Sequence, residues 1–203
     1  MNKLIILIAF IILSLEGYAQ IQVQPFFGND GLQIGSLVNK AFTKKERWNY
    51  FNYTSYFTQY DSIKSGQIES YQNVSYSIYK NFGINAGATF GNANLIPSLG
   101  FSYILDKDKF NVSIFPSLNY LMAEKEIGAD LNAMLEYTPT INKSWNFYAM
   151  LIFNGDYISS EFDTKEYLRI GLEHKNKFQF GVGTDIDNTN NTINIGAFVG
   201  YTF

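Results

Sequence analysis

Along this chain apolar and polar side chains change places at every second residue, in short runs separated by clusters of Asn, Asp, Gly and Lys. The clearest run is the last, Thr192 to Phe203 (TINIGAFVGYTF). Ile193, Ile195, Ala197, Val199, Tyr201 and Phe203 share one side there, and Asn194, Gly196, Phe198, Gly200 and Thr202 share the other. A period of two is that of a β-strand with one apolar and one mostly small or polar face. Similar runs precede it: Phe178 to Asp187, Lys165 to Lys175, Ser144 to Tyr157, Glu124 to Ile141, Lys109 to Leu121, Leu95 to Asp106, Ile84 to Ala93, Asn73 to Phe82, Arg47 to Tyr60, Gly31 to Phe42 and Ile21 to Phe27. The pattern predicts an all-β chain of twelve strands, with ten as the alternative. Most of the runs have the length, about ten residues, that a tilted strand needs to cross a bilayer.

The first residues break the pattern. Lys3 gives a basic start, Leu4 to Leu15 is an apolar run, and Gly17-Tyr18-Ala19 precede Gln20. This order is that of a secretory signal peptide cut after Ala19, and the run is too short to cross a bilayer as a mature helix. Residues 1–19 are therefore set apart from a single domain over 20–203. The chain contains no cysteine, which removes an N-terminal lipid-cysteine anchor, a disulfide and a thiolate nucleophile.

A signal peptide, ten to twelve alternating strands and a strand ending on Phe203 together resemble a small single-chain bacterial outer-membrane β-barrel, an antiparallel up-and-down transmembrane barrel. The Ala19-Gln20 junction is similar to signal peptides of the Bacteroidota. The resemblance implies an outer-membrane location, membrane lipids as neighbours, and folding by the barrel assembly machinery, for which a terminal aromatic is a signal. It implies no substrate.

On that footing Phe203 lies in the periplasm and every turn is assigned. The inner turns are Asn176 and its neighbours, Asn142-Lys143, Lys107-Asp108, Phe82-Gly83 and Thr43 to Glu46. The outer connections are Ala93-Asn94, Asp187 to Asn191 and two long loops, 61–72 and 158–164. Trp48 and Trp145 both open strands on the inner side, where they join Tyr137, Phe110, Phe82, Phe178, Tyr201 and Phe203 in an aromatic girdle, with Tyr60, Tyr120, Tyr157 and Phe90 in an outer one. Pro116 falls in mid-strand, where its missing N–H predicts a bulge or a strand boundary.

Composition narrows the functional classes. Aromatic residues make up 17%, charged residues 16%, and the net charge is −3. There is no basic excess for nucleic acid and no charged tail. His174 is the only histidine and falls on the apolar side between Glu173 and Lys175, which fits an interfacial position better than a serine–histidine catalytic pair. A site built from several imidazoles is excluded. Asp185 to Asn191 begins like a calcium loop but has Asn190 and Gly196 where such a loop needs Gly and Glu, so it reads as a polar hairpin turn. Gly181-Val182-Gly183 lies inside a strand and reads as small inward residues making room in the lumen.

The sequence thus gives no enzyme and no cofactor. The remaining chemistry is inward: Asp130, Glu136, Arg169, Glu173, Gln179 and Asp185, with Asn111, Asn119, Asn132 and Asp187 beside them. In one reading Arg169 pairs with Glu173 or Glu136 and holds a filled barrel together. In the other these groups line a narrow aqueous path with a mild preference for cations. Inward Tyr148, Met150 and Ile152 make the interior partly apolar. The expected function is a small channel or passive transporter for small solutes. The alternatives are a non-conducting structural or surface-interaction barrel and, behind it, a lipid-modifying enzyme.

Overall fold

The computed structural model describes residues 19–203 except 43–46, 62–65, 92–94, 123 and 159–160. Twelve antiparallel strands close into one barrel in simple up-and-down order. They are β1 (Ala19–Gly28), β2 (Gly31–Ala41), β3 (Trp48–Gln59), β4 (Gln67–Tyr79), β5 (Phe82–Phe90), β6 (Leu95–Lys107), β7 (Phe110–Leu121), β8 (Glu126–Tyr137), β9 (Trp145–Ile158), β10 (Glu161–His174), β11 (Phe178–Asp187) and β12 (Thr192–Thr202). The pairing of β1 with β12, for example Phe26 with Phe198 and Gly28 with Gly196, removes the last free edge. The proposed signal peptide lies outside the described residues apart from Ala19, the first residue of β1.

The two-residue period sorts inside from outside along each strand. On β12, Ile193, Ile195, Val199 and Tyr201 are exposed outward while Asn194, Phe198 and Gly200 are buried in the interior. On β10, Leu168, Ile170 and Leu172 point out and Tyr167, Arg169 and Glu173 point in. Most strands repeat this on the outer face, giving an apolar exterior that includes Leu99, Phe101, Ile127 and Val182; on β3 and β4 it is interrupted by a hydrogen-bonded patch of outward Asn52, Thr54 and Ser70.

At the end that holds the C-terminus, aromatic rings meet across neighbouring strands. Trp48 lies against Tyr76 with centroids 4.9 Å apart and Phe82 against Tyr103 at 5.0 Å, while at the chain's end Tyr201 meets Phe203 edge-on at 4.9 Å. Trp145 lies 4.6 Å from the His174 ring, its cross-strand partner, which places the only histidine in this belt. Tyr60, Tyr120, Tyr157 and Phe90 are exposed near the opposite end.

Several boundaries differ from the sequence reading. Gln67 to Gln72, taken as loop, is the first half of β4; its inward Glu69 and Tyr71 and outward Gln72 mix polarity on both faces, which hides the period. The hairpin after β4 turns at Lys80, whose φ of 49° is left-handed, so Phe82-Gly83 open β5 and are not the turn. The second expected long loop, 158–164, is mostly strand: Glu161 pairs with Ile158 and Phe162 with Tyr157, and only 159–160 remain, outside the described residues. The β8–β9 connection is longer than the expected Asn142-Lys143 turn and runs from Thr138 to Ser144, with Asn142 Oδ1 accepting the N–H groups of Ser144 (3.0 Å) and Trp145 (3.1 Å). The contrast between short inner turns and long outer loops is therefore weaker than the sequence suggested. Thr43 to Glu46 and Ala93-Asn94 lie outside the described residues.

Pro116 produces no bulge. Its strand pairs with β8 without a break, Pro116 opposite Leu131. On the other side the β6–β7 ladder skips the pairs between Gly100–Ser117 and Tyr103–Ile114 and then resumes in the same register. The gap falls opposite Pro116, which has no N–H to give. Gly100 accommodates it, because a side chain there would collide with the Pro116 carbonyl and the Ser117 backbone.

Candidate functional site

Inward polar side chains converge in the interior, which has three levels; a smaller outward group, Asn52, Thr54 and Ser70, lies on β3 and β4. At the C-terminal end a cavity of about 340 Å³ opens between Gln20, Gln22, Glu136, Glu173, Gln179 and Thr202. Asp106, Asp108 and Lys107 stand at its rim, so its lining carries four carboxylates against one lysine. Most of its floor is hydrogen-bonded. Gln22 Nε2 donates to Tyr148 Oη (2.8 Å) and Gln179 Oε1 (2.7 Å), Gln179 Nε2 donates to Glu173 Oε1 (3.0 Å), and Asn146 Nδ2 donates to Glu173 Oε2 (2.9 Å). Asn111 Nδ2 donates to Glu136 at 3.2 Å. These partners hold buried carboxylate and amide groups that would otherwise be costly to desolvate.

The middle level is filled. Phe26, Phe51, Phe115, Tyr148, Tyr167 and Phe198, with Met134, Met150 and Ile152, form one buried cluster inside the barrel. Rings reach across it: Phe51 on β3 lies 5.2 Å from Phe115 on β7, and Tyr53 on β3 lies 5.8 Å from Tyr167 on β10. Room for these rings comes from inward glycines on β10 to β12. Gly171 faces Gly181 so closely that a Cβ on either would overlap the other strand's backbone. The cavity that remains beside Arg169 is about 20 Å³, space for roughly one water.

Arg169 is the centre of this level. It is 2% exposed. Its Nη1 lies 2.6 Å from Asp185 Oδ1 and donates to the carbonyls of Leu168 (3.0 Å) and Thr184 (3.2 Å); its Nη2 donates to Gln33 Oε1 at 2.9 Å. The guanidinium lies 3.9 Å from the Phe26 ring centroid, a cation–π arrangement. Gly183 makes the side chain's path possible, since a Cβ there would stand 2.7 Å from Arg169 Cδ. The partner of Arg169 is thus Asp185, and neither Glu173 nor Glu136 as the sequence suggested. Lateral position explains this: Asp185 sits on the adjacent strand one inward row further from the C-terminal end, and the side chain extends that way.

The third level, toward the opposite end, is acidic. Cross-strand register sets Asp130, Asp156 and Asp163 side by side on β8, β9 and β10. Lys165 faces Asp187 on β11 and reaches Glu69 Oε2 at 3.0 Å. Asp130 accepts from Ser117 Oγ at 2.6 Å. Asp187 also accepts the N–H and side-chain amide of Asn190, which occupies the calcium-like segment as a hairpin turn.

The six inward residues singled out from sequence therefore fall into separate places. Glu136, Glu173 and Gln179 line the cavity, Arg169 and Asp185 pair in the filled middle, and Asp130 lies apart on β8. Glu69 was missed because its strand reads as loop. Asp156 and Lys165 share the inward side with residues already identified, and extending the alternation one or two positions finds both.

A closed antiparallel barrel with alternating inward polar and outward apolar side chains defines the fold class of bacterial outer-membrane porins. Among solved structures the chain is similar to the NanC porin, with a TM-score of 0.55 at 8% identity over 91% of this chain and 98% of that one. It is also similar to the KdgM porin, with a TM-score of 0.53 at 14% identity over 91% and 99%; KdgM has also been solved in complex with disordered oligogalacturonate. No protein-family model and no curated protein sequence matches.

Proposed function

We propose that this chain is an integral outer-membrane barrel, exported by cleavage after Ala19, that passes small polar solutes through a narrow lumen. The observation that carries the reading is the hydrogen-bonded, carboxylate-rich cavity of about 340 Å³ inside a barrel whose exterior is apolar over most of its circumference. Outward side chains such as Ile127, Phe101 and Ile195 are more than half exposed, and soluble monomers do not present an apolar surface on this scale. Lipid as the exterior solvent accounts for it, and the barrel assembly machinery is the proposed partner in folding. The excess of Glu136, Glu173, Asp106 and Asp108 over Lys107 supports a preference for cations at this mouth.

A second reading, a non-conducting barrel, has a specific observation in its favour: the middle of the lumen is bridged by Phe51–Phe115, Tyr53–Tyr167 and Arg169–Gln33. Single-channel recording of the refolded protein in a planar bilayer separates the two. Discrete current steps with cation preference, reduced in Glu173→Gln, support the channel; silence in wild type and in Phe115→Ala supports the structural barrel. A catalytic reading finds no support in the geometry, since His174 is packed on Trp145 outside the lumen.

A further inference from the structure

One wall of the lumen differs from the rest. Midway along β4 to β7 eight inward residues are small and uncharged, and register arranges them in two rows: Asn73, Gly87, Ser98, Asn119 and, beneath, Ser75, Asn85, Gly100, Ser117. Eleven buried side-chain polar atoms have no protein hydrogen-bond partner among the described residues, and five of them lie in this patch: Asn73 Oδ1, both polar atoms of Asn85, Ser98 Oγ and Asn119 Oδ1. Each of those four side chains is more than nine-tenths buried. They face one another. A Cβ on Gly87 would stand 3.1 Å from Ser98 Oγ and 3.2 Å from Asn73 Nδ2, so the two side chains converge over the bare glycine.

Buried polar groups in folded proteins are almost always hydrogen-bonded, to protein or to something else. Elsewhere in this lumen many are met by neighbours, as Gln22 is by Tyr148 and Gln179, and the unmet atoms are scattered, such as Asn111 Oδ1 and Asn194 Nδ2. Along β4 to β7 neighbouring side chains leave donors and acceptors of both kinds unmet, and the one adjoining charge, Asp130 on β8, stands at the edge where Ser117 already donates to it. Such a lining suits a partner that both gives and accepts hydrogen bonds and carries no charge, because its four unmet side chains are themselves neutral and offset little of the desolvation of an ion. Phe115 and Tyr71 are the lids. Phe115 packs 6.1 Å from Tyr71, whose hydroxyl accepts from Asn73 Nδ2 at 2.8 Å.

We propose that the Asn73–Asn85–Ser98–Asn119 seam is a binding site for water and for small uncharged solutes bearing hydroxyl or amide groups, reached from the lumen past Phe115. The site deepens the channel reading above and rests on it for access. It also separates the two tasks of the lumen: carboxylates at the mouth act on cations, while the seam takes neutral polar molecules.

Because the chain has no cysteine, single thiols can be placed without background. Ser98→Cys and Asn85→Cys in folded barrels in lipid vesicles are exposed to methyl methanethiosulfonate and to its sulfonatoethyl and trimethylammonium-ethyl counterparts, with intact mass as readout. Ile152→Cys, in the apolar cluster beside a cavity too small for any of these reagents, is the occluded control. The expected result is reaction of both seam thiols with the neutral reagent at least about tenfold faster than with either charged one, and no reaction of Ile152→Cys until the barrel is unfolded. Seam thiols as unreactive as Ile152→Cys in the folded barrel, or charged reagents as fast as the neutral one, overturn the proposal. Glycerol-driven swelling of the same vesicles tests the underlying reading separately. Labelling without swelling in wild type leaves the site and sinks the channel; swelling with unreactive seam thiols leaves the channel and sinks the site.

Discussion

Lys165 on β10 and Glu69 on β4 meet at 3.0 Å in the lumen, although their strands stand on opposite walls, six apart either way round the barrel. The next two inward residues of β10 do the same: Tyr167 meets Tyr53 on β3 and Arg169 meets Gln33 on β2. Three alternate residues of one strand thus tie across the lumen to three successive strands, forming a septum with an ion pair at one edge and a stacked guanidinium at the other.

The outer tie is the weaker one. Its side chains are 35% and 39% exposed, and a pair so placed contributes about 1 kcal/mol at most. Lys165→Met is expected to raise the open fraction in planar-bilayer recordings at low salt by up to about fivefold. The difference from wild type should shrink at 1 M salt (about a 3 Å screening length), which screens the wild-type pair. Equal behaviour of the two proteins at low salt would show that this tie does not gate the lumen.

The inner tie is structural. Arg169→Leu leaves Asp185 buried beside unmatched carbonyls and is expected to cost about 3–5 kcal/mol. Urea unfolding followed by tryptophan fluorescence in detergent checks it. Arg169→Leu combined with Asp185→Leu should recover a large part of the loss, because no charge is then left unpaired.

Closure of the barrel depends on Gly196. A Cβ at this position would overlap the Phe27 carbonyl and approach Gly28 Cα at 2.6 Å, at the seam between β1 and β12. Gly196→Ala is expected to destabilise the folded form by about 1–3 kcal/mol. A lower temperature for loss of the compact gel band of the unboiled protein is the readout, with Ala197→Gly on the outward face as the mild comparison.

Both tryptophans belong to one belt, Trp48 beside Tyr76 and Trp145 beside His174. Lipids brominated near the glycerol backbone are expected to quench both more strongly than lipids brominated near the chain terminus. Strong quenching from the bilayer centre would overturn the placement of this end at an interface.

Much of the fold was legible in the chain. Strand number, the outward faces of β10, β11 and β12, and the aromatic belt all follow from a two-residue period. The period failed where a strand is polar on both sides, as in Gln67 to Gln72, and where a strand outruns its apolar stretch, as in Glu161 to Thr164. It also could not tell that Pro116 would be absorbed by a skipped ladder pair beside Gly100. The inward set was legible residue by residue, Asp130, Glu136, Arg169, Glu173, Gln179 and Asp185 among it, but its grouping was not.

The sequence by itself determined that the chain is a run of ten to twelve alternating strands and which side of most of them faces in, because side-chain direction in a strand is a local property of the backbone. Only the tertiary structure decided that Arg169 takes Asp185, that Lys165 crosses to Glu69, and that Asn73, Asn85, Ser98 and Asn119 gather on one wall. Those relations depend on the stagger between strands and on the circumference at which the sheet closes, and both are set by all the strands together.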